Sequence, residues 1–289
     1  MPAEPPAVPA APDTEDVVPG QQTSIRSGSR LANPGAAANG PLALIGGGEW
    51  SPGCEAFDAE LLAAAGTTEV LVLPTAAAYW HPERAVQTAS SYFSGLGAKV
   101  TGCMVLRRAD AEDLANAGRV RAARFIYIAG GSVLHLRSVL KASAVWDALA
   151  GAWRGGAVLA GSSAGAMVLG DTMVDPRGGA LTLGLGLLSQ LAVLPHASTW
   201  SDEKMHRTVK LASAGLRIAA IDERTALVRA TNGDWRAHGV GNVVIWVDGR
   251  TAGLDVLGGA GVLGGADVLG GAGERGGADE SPGEPSNPG

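Results

Sequence analysis

Gly156-Ala-Val-Leu-Ala-Gly161-Ser162-Ser163-Ala164-Gly165-Ala166 decides how this chain is read. Its apolar run, Ala157 to Ala160, has the length and composition of a buried strand. The run ends in G-x-S-x-G and continues as Ala166-Met167-Val168-Leu169, a good helix start. Strand, sharp turn, serine and helix form the setting of a nucleophile elbow. The two glycines fit because the turn is strained and crowded, and a Cβ at either place would clash. The Ser163 hydroxyl is then lifted off the end of the sheet. The Ala164 N–H and the positive end of the helix stand beside it, where an oxyanion would form. The motif alone weighs little: with 43 glycines among 289 residues, chance supplies one on the order of 0.4 times. The strand-to-helix setting gives it meaning, against a Gly-rich structural turn or a phosphate cradle.

Working outward, strand and helix patterns alternate. Leu42–Ile45 is an apolar strand ending in Gly46-Gly47-Gly48, and a helix over Cys54–Ala65 follows. Glu69–Leu73 is a strand ending at Pro74-Thr75. A helix over Pro82–Gly95 precedes a strand over Lys99–Leu106. Asp110–Ala117 is helical, Arg124–Ile128 is a strand ending in Gly130-Gly131, and Val133–Leu149 is helical. Fully apolar strands separated by helices predict an α/β fold, a mostly parallel sheet with helices on both faces in three layers. The active site of such a sheet lies at the carboxyl ends of its strands. Gly46–Gly48, Pro74-Thr75, Gly130-Gly131 and Ser163 all fall there and should converge on one rim. Beyond residue 180, Leu191–Leu194, Ile218–Ile221, Thr225–Arg229 and Val243–Val247 read as shorter, partly antiparallel strands completing one edge of the sheet.

The predicted α/β domain spans residues 41–252. Residues 1–40, rich in Pro, Ala, Ser and Gly, read as a disordered tail. Residues 253–289 read as a second one, opening with three copies of Val-Leu-Gly-Gly-Ala-Gly/Asp from Val256. Aromatics make up only 4% of the chain, so the core must be built from Ala, Val and Leu. The net charge of −6 gives no basic footprint for nucleic acid. No apolar run reaches membrane-spanning length, and the N-terminus lacks the pattern of a secretory signal. Cys54 and Cys103 make no disulfide framework and have no metal-ligand spacing. They read as small core residues in a reducing cytoplasm, and neither metal nor cofactor is expected.

A nucleophilic serine needs a base, and the base needs an orienting acid. Of five histidines, His196 directly follows an apolar strand and Pro195, which fixes it at a strand end on the expected rim. His81, after the Pro74-Thr75 loop, is a second residue that could line the rim, whereas His135 starts a helix, His206 lies in a polar helix and His238 lies near a turn. Three acids remain open: Asp171 and Asp175 after the elbow helix, and Glu223 after the Ile218–Ile221 strand.

The order serine, histidine, acid, together with the Gly46–Gly48 loop, the Gly130-Gly131 loop and the elbow, resembles the cyanophycinase and dipeptidase E family of serine peptidases, which have a class I glutamine amidotransferase-like fold. The resemblance runs from about Leu42 to Gly249. It is carried most specifically by Gly161–Ala166, Val174-Asp175-Pro176, Pro195-His196 and Ile221–Leu227. It implies Ser163 as nucleophile, His196 as base and Glu223 as acid, as in the cyanophycinase branch. The dipeptidase branch points instead to Asp171, with Asp175 close by. The resemblance also implies Gly131 N–H as the second oxyanion donor beside Ala164. Substrate contacts would fall to Ser132, Arg177 and Arg207. It departs at Ser132-Val133, where the family often has Asp-Gln or Asn-Thr, and at Met205, where an arginine that reads the acidic cyanophycin polymer is expected. Small peptide or isopeptide substrates are therefore expected rather than cyanophycin, and a homodimer is compatible with the reading. The competing reading is an inactive amidotransferase-like module binding a small acidic ligand or a protein. A nucleotide site at Gly46–Gly48 lacks both G-x-G-x-x-G spacing and a P-loop lysine.

Overall fold

The computed structural model describes residues 39–259. The expected tails at 1–38 and 260–289, with most of the repeat, lie outside the described residues. In chain order the elements are β1 (Leu42–Ile45), α1 (Glu55–Ala65), β2 (Glu69–Leu73), α2 (Pro82–Gly95), β3 (Lys99–Gly102), α3 (Arg108–Glu112), α4 (Leu114–Ala122), β4 (Phe125–Ile128), α5 (Val133–Leu140), α6 (Ala144–Arg154), β5 (Val158–Ser162) and α7 (Ala164–Met167). They continue with β6 (Thr172–Val174), β7 (Leu181–Leu183), β8 (Leu191–Pro195), α8 (Asp202–Lys210), β9 (Arg217–Ile221), β10 (Thr225–Arg229), β11 (Trp235–Gly239), β12 (Val243–Val247) and β13 (Arg250–Ala252).

The main sheet has seven strands in the order β11-β10-β1-β5-β4-β2-β3. Five of them, β1, β5, β4, β2 and β3, run parallel. β10 and β11 are antiparallel additions at one edge. The central strands are buried on both faces because alternate residues feed two cores. Leu42, Leu44, Ile126, Ile128 and Leu159 belong to one core cluster, with α5 and α6. Ala43, Ile45, Phe125, Tyr127, Val158 and Ala160 belong to the other, with α1 and α2. The α/β architecture is thus the one read from the sequence.

Several local expectations change. The strand expected over Lys99–Leu106 stops at Gly102, and the helix expected over Asp110–Ala117 breaks at the extended Asp113 into α3 and α4. β8, β9, β12 and β13 do not extend the main sheet but form a second sheet, ordered β13-β12-β9-β8. Only β10 and β11 reach the main edge, since β10 already occupies the free side of β1. The helix expected over Val133–Leu149 is two helices. Ala142 takes a left-handed φ of 51°, and the Ser143 hydroxyl accepts the Trp146 N–H at 3.1 Å, starting α6 afresh. At the C-terminal side, Leu254–Gly259 makes a 3₁₀ turn. Leu257 of the first repeat copy is fully buried, and Arg217 Nε donates to the Val256 carbonyl at 2.8 Å. The packed chain therefore reaches past residue 252. Among the described residues no helix is long and apolar enough to cross a membrane.

Candidate active site

β1 organises the site. Three successive carbonyls at its end accept three backbone N–H groups from far along the chain. Ile45 accepts from Ser163 at 2.9 Å, Gly46 from His196 at 2.7 Å, and Gly47 from Arg224, next to Glu223, at 2.7 Å. Each of the three donors has a positive φ, near 50° for Ser163, 53° for His196 and 54° for Arg224. A non-glycine residue holds that conformation only where its surroundings enforce it, and such strain concentrates at functional sites.

At the end of β5 the chain reverses sharply into α7, with Ser163 at φ 50° and ψ −110°. A Cβ on Gly161 would lie 2.5 Å from the Gly165 carbonyl oxygen, and one on Gly165 would lie 2.4 Å from that of Ile128. The turn therefore accepts no side chain at either glycine. Ser163 Oγ lies 2.9 Å from His196 Nε2. His196 Nδ1 lies 2.8 Å from Glu223 Oε1. With Nδ1 carrying its proton toward the carboxylate, Nε2 is free to accept the Ser163 proton. Gly47, at φ +110°, borders the ring, and a Cβ there would fall 2.2 Å from His196 Cε1.

The other two acids face elsewhere. Asp171 Oδ2 accepts the Gln190 N–H at 3.0 Å, bracing the turn before β8. Asp175 forms a fork with Arg177, with Nε to Oδ1 at 3.0 Å and Nη2 to Oδ2 at 2.7 Å. That hydrogen bonding holds the Asp175 carboxyl down at about 2. The structure thus brings Glu223, and neither aspartate, to His196.

The contacts expected for substrate are placed as follows. Ser132 caps α5, its Oγ accepting the His135 N–H at 3.3 Å. Arg177 is committed to Asp175. Arg207 is exposed on α8. Gly131 sits at φ +137°, and a Cβ there would meet the Ala76 carbonyl oxygen at 2.3 Å. No acceptor among the described residues takes the backbone N–H of Gly131 or of Ala164. The remaining histidines are absorbed elsewhere. His135 Nε2 contacts the Leu106 carbonyl at 2.9 Å, and His81 is the left-handed residue that starts α2. Among the described residues no group of three His, Cys, Asp or Glu side chains is placed to hold a metal.

Sequence reasoning passed over Glu49. Its Oε1 accepts the Gly130 N–H at 2.9 Å and its Oε2 accepts the Ser162 hydroxyl at 2.7 Å. The available signal was a lone carboxylate directly after Gly46-Gly47-Gly48 at a strand end. Behind it, between α1, α2 and the main sheet, lies a buried polar group. Asp58 is fully buried and accepts Tyr92 Oη–H at 2.9 Å. Burial, opposed by that hydrogen bond, pushes its carboxyl up to about 7. Burial likewise pushes the Cys54 thiol up to about 11, far from a reactive thiolate.

Fold and geometry together define an α/β protein that presents a serine on a strand-to-helix elbow against a histidine and a carboxylate. Peptidase family S51 matches residues 42–234, more than half of the chain, and the chain belongs to that family. Curated relatives include cyanophycinases of Synechococcus elongatus and Thermosynechococcus vestitus. Each is 30% identical over 156 residues, covering 48% of this chain and 46% of the relative. The chain thus matches about half the length of those relatives. Among solved structures it is similar to a peptidase from an acI-B1 Actinobacterium, with TM-score 0.68 and 28% identity over 75% of this chain and 94% of that one. The fold is also that of a Listeria monocytogenes EGD-e protein assigned as a peptidase E. That match has TM-score 0.52 and 19% identity over 73% of this chain and 99% of the other.

Proposed function

We propose that this chain is a serine peptidase or amidohydrolase that cleaves small peptide or isopeptide amide bonds through an acyl-enzyme. The observation that carries the reading is the continuous chain Ser163 Oγ, His196 Nε2, His196 Nδ1, Glu223 Oε1, with links of 2.9 and 2.8 Å at a strained elbow. His196 takes the Ser163 proton as Oγ attacks the amide carbonyl. The N–H groups of Ala164 and Gly131 receive the resulting oxyanion. His196 then passes its proton to the leaving amine, the C–N bond breaks, and the acyl group remains on Ser163. Water, giving a proton to His196, attacks the ester, and collapse of the second tetrahedral intermediate returns the proton to Ser163. Glu223 holds the imidazole tautomer and stabilises the imidazolium throughout.

Family membership and the cyanophycinase relatives support the reaction class. They leave the substrate to chemistry. With Arg177 held by Asp175, and Met205 where a further arginine is expected, fewer guanidinium groups are free to bind carboxylates along a polymer. Small substrates fit better. The test is labelling with a fluorophosphonate probe, which reacts only with an activated serine. Adduct on Ser163 that vanishes in Ser163→Ala establishes the nucleophile and opens a screen of dipeptides, β-aspartyl peptides and cyanophycin. A folded wild type that takes no probe overturns the reading.

A further inference from the structure

Glu49 sits where two halves of the proposed site meet. One oxygen of its carboxylate holds the backbone N–H of Gly130 at 2.9 Å, and the other holds the hydroxyl of Ser162 at 2.7 Å. Gly130 directly precedes the proposed oxyanion donor Gly131. Ser162 directly precedes the proposed nucleophile. A Cβ on Gly130 would lie 3.0 Å from Glu49 Oε1 and 3.3 Å from Ser163 Cβ, so the carboxylate stands beside the elbow itself.

We infer that Glu49 is a positioning residue: its carboxylate bridges the Gly130 loop to the serine elbow and so fixes the aim of the Gly131 N–H on the oxyanion. The inference rests on the serine-hydrolase reading given above.

Three further observations support it. The Gly130–Ser132 segment is pinned on both sides of Gly131, by Glu49 at Gly130 and by the Ala76 carbonyl, which accepts the Ser132 N–H at 2.8 Å. The unpaired Gly131 N–H lies between the two pins. The loop that presents Glu49 is itself anchored. Trp50, at φ 59°, buries its ring against Tyr127 with centroids 5.1 Å apart, while Ser51 Oγ and Cys54 Sγ both bond the Gly48 carbonyl. Finally, Ser162 is fully buried on β5, its hydroxyl needs a partner, and the partner it has is the Glu49 carboxylate. Bonds to an ionised acceptor are shorter and stronger than neutral ones, which suits a clamp. Glu49 has no part in proton transfer. A negative charge beside a forming oxyanion opposes it, so its benefit is geometric.

The experiment compares fluorophosphonate inactivation of the full chain and its variants, separating kinact from KI, with thermal melts alongside. Glu49→Ala is expected to lower kinact by about 10²-fold, the scale of a misaimed oxyanion donor, with KI within about twofold. Glu49→Gln accepts from Gly130 with its amide oxygen and donates to Ser162 with its amide nitrogen, and should recover kinact to within about tenfold of wild type. Equal losses in the two variants, or wild-type kinact in Glu49→Ala, overturn the inference. If Glu49→Ala loses its melting transition, Glu49→Asp decides, since one methylene withdraws the charge from both partners. A slowed kinact with a wild-type melt supports the clamp, and an unchanged kinact removes it. Wild type that is not labelled at all overturns the parent reading and this inference with it. Labelled wild type with an unimpaired Glu49→Ala overturns this inference alone.

Discussion

The two sheets divide the labour. The seven-stranded sheet is a conventional doubly covered core, and it contributes the elbow serine from the end of β5. The four-stranded sheet contributes His196 from the end of β8 and Glu223 from the end of β9. Neither sheet holds the site alone. The difference teaches that the proposed chemistry would lie at a seam, and that the seam is stitched by the three carbonyls at the end of β1. A residue on the seam should matter to rate far more than one deep in either sheet.

The largest effect tests whether the seam is one unit. Ser163→Ala and His196→Ala should each lower kcat by about 10⁶-fold, and the double variant by little more, since members of a triad act together. Additive losses in amide-cleavage assays would show two independent contributions instead. Next comes the choice of acid. Glu223→Gln should lose about 10⁴-fold in kcat by leaving the wrong tautomer, while Asp171→Asn keeps the rate. Comparable losses in the two variants would shift the orienting role away from β9.

The third test leaves the seam for the helical face of the main sheet. Asp58 has its carboxyl raised to about 7 by burial, above the ordinary 3.8. Below pH 3.8 the folded and unfolded chains are both protonated there, and the group has no net effect. Between that pH and about 7 the folded chain keeps a proton the unfolded chain has lost, so this group makes stability fall as pH rises. Above that range the full penalty persists. Denaturant unfolding should therefore show Asp58→Asn losing part of the wild-type decline between pH 5 and pH 8, by up to a few kcal/mol. An unchanged pH profile would put the titration elsewhere.

Gly47→Ala probes the seam directly. Its Cβ would meet His196 Cε1 at 2.2 Å in a left-handed conformation, so the imidazole must move. A fall of about 10²-fold in kcat, larger than any change in KM, is expected from displacement on the ångström scale. The smallest effect belongs to Arg177→Ala. Because Asp175 already engages the guanidinium at the exposed surface, KM on small peptides should stay within about twofold. A tenfold rise would restore Arg177 to the substrate.

Much of this was legible. Leu42–Ile45, Glu69–Leu73, Phe125–Ile128 and the elbow strand announce themselves as short apolar runs between helices, because a strand covered on both faces has no polar side. Ser163, His196 and Glu223 were expected at the rim because each lies within three residues of the end of such a run, and the structure sets the three within hydrogen-bond distance of one another. The second sheet was not. Leu191–Leu194 and Ile218–Ile221 look like any other buried strand, and nothing local says which sheet a strand joins. That depended on β10 having taken the open edge of β1. Nor was the role of Glu49 legible beyond its place after the glycines, since its partners are a backbone N–H and a hydroxyl 81 and 113 residues away. The fork between Asp175 and Arg177 was hidden for the opposite reason. Two residues apart in a turn, they could each be assigned a separate task.

The row of carbonyls on Ile45, Gly46 and Gly47 also sets when the proposed site can be assembled. The strand that aligns serine, histidine and acid comes first among the described elements, and the parts it aligns come as late as Arg224. A ribosome must therefore release most of the domain before any of the three can be seated. A single cut in the loop after Gly48 would uncouple the alignment while leaving all three side chains intact. The proposed centre is thus a closure across the described chain, complete only when Arg224 meets Gly47 and open to disruption at β1.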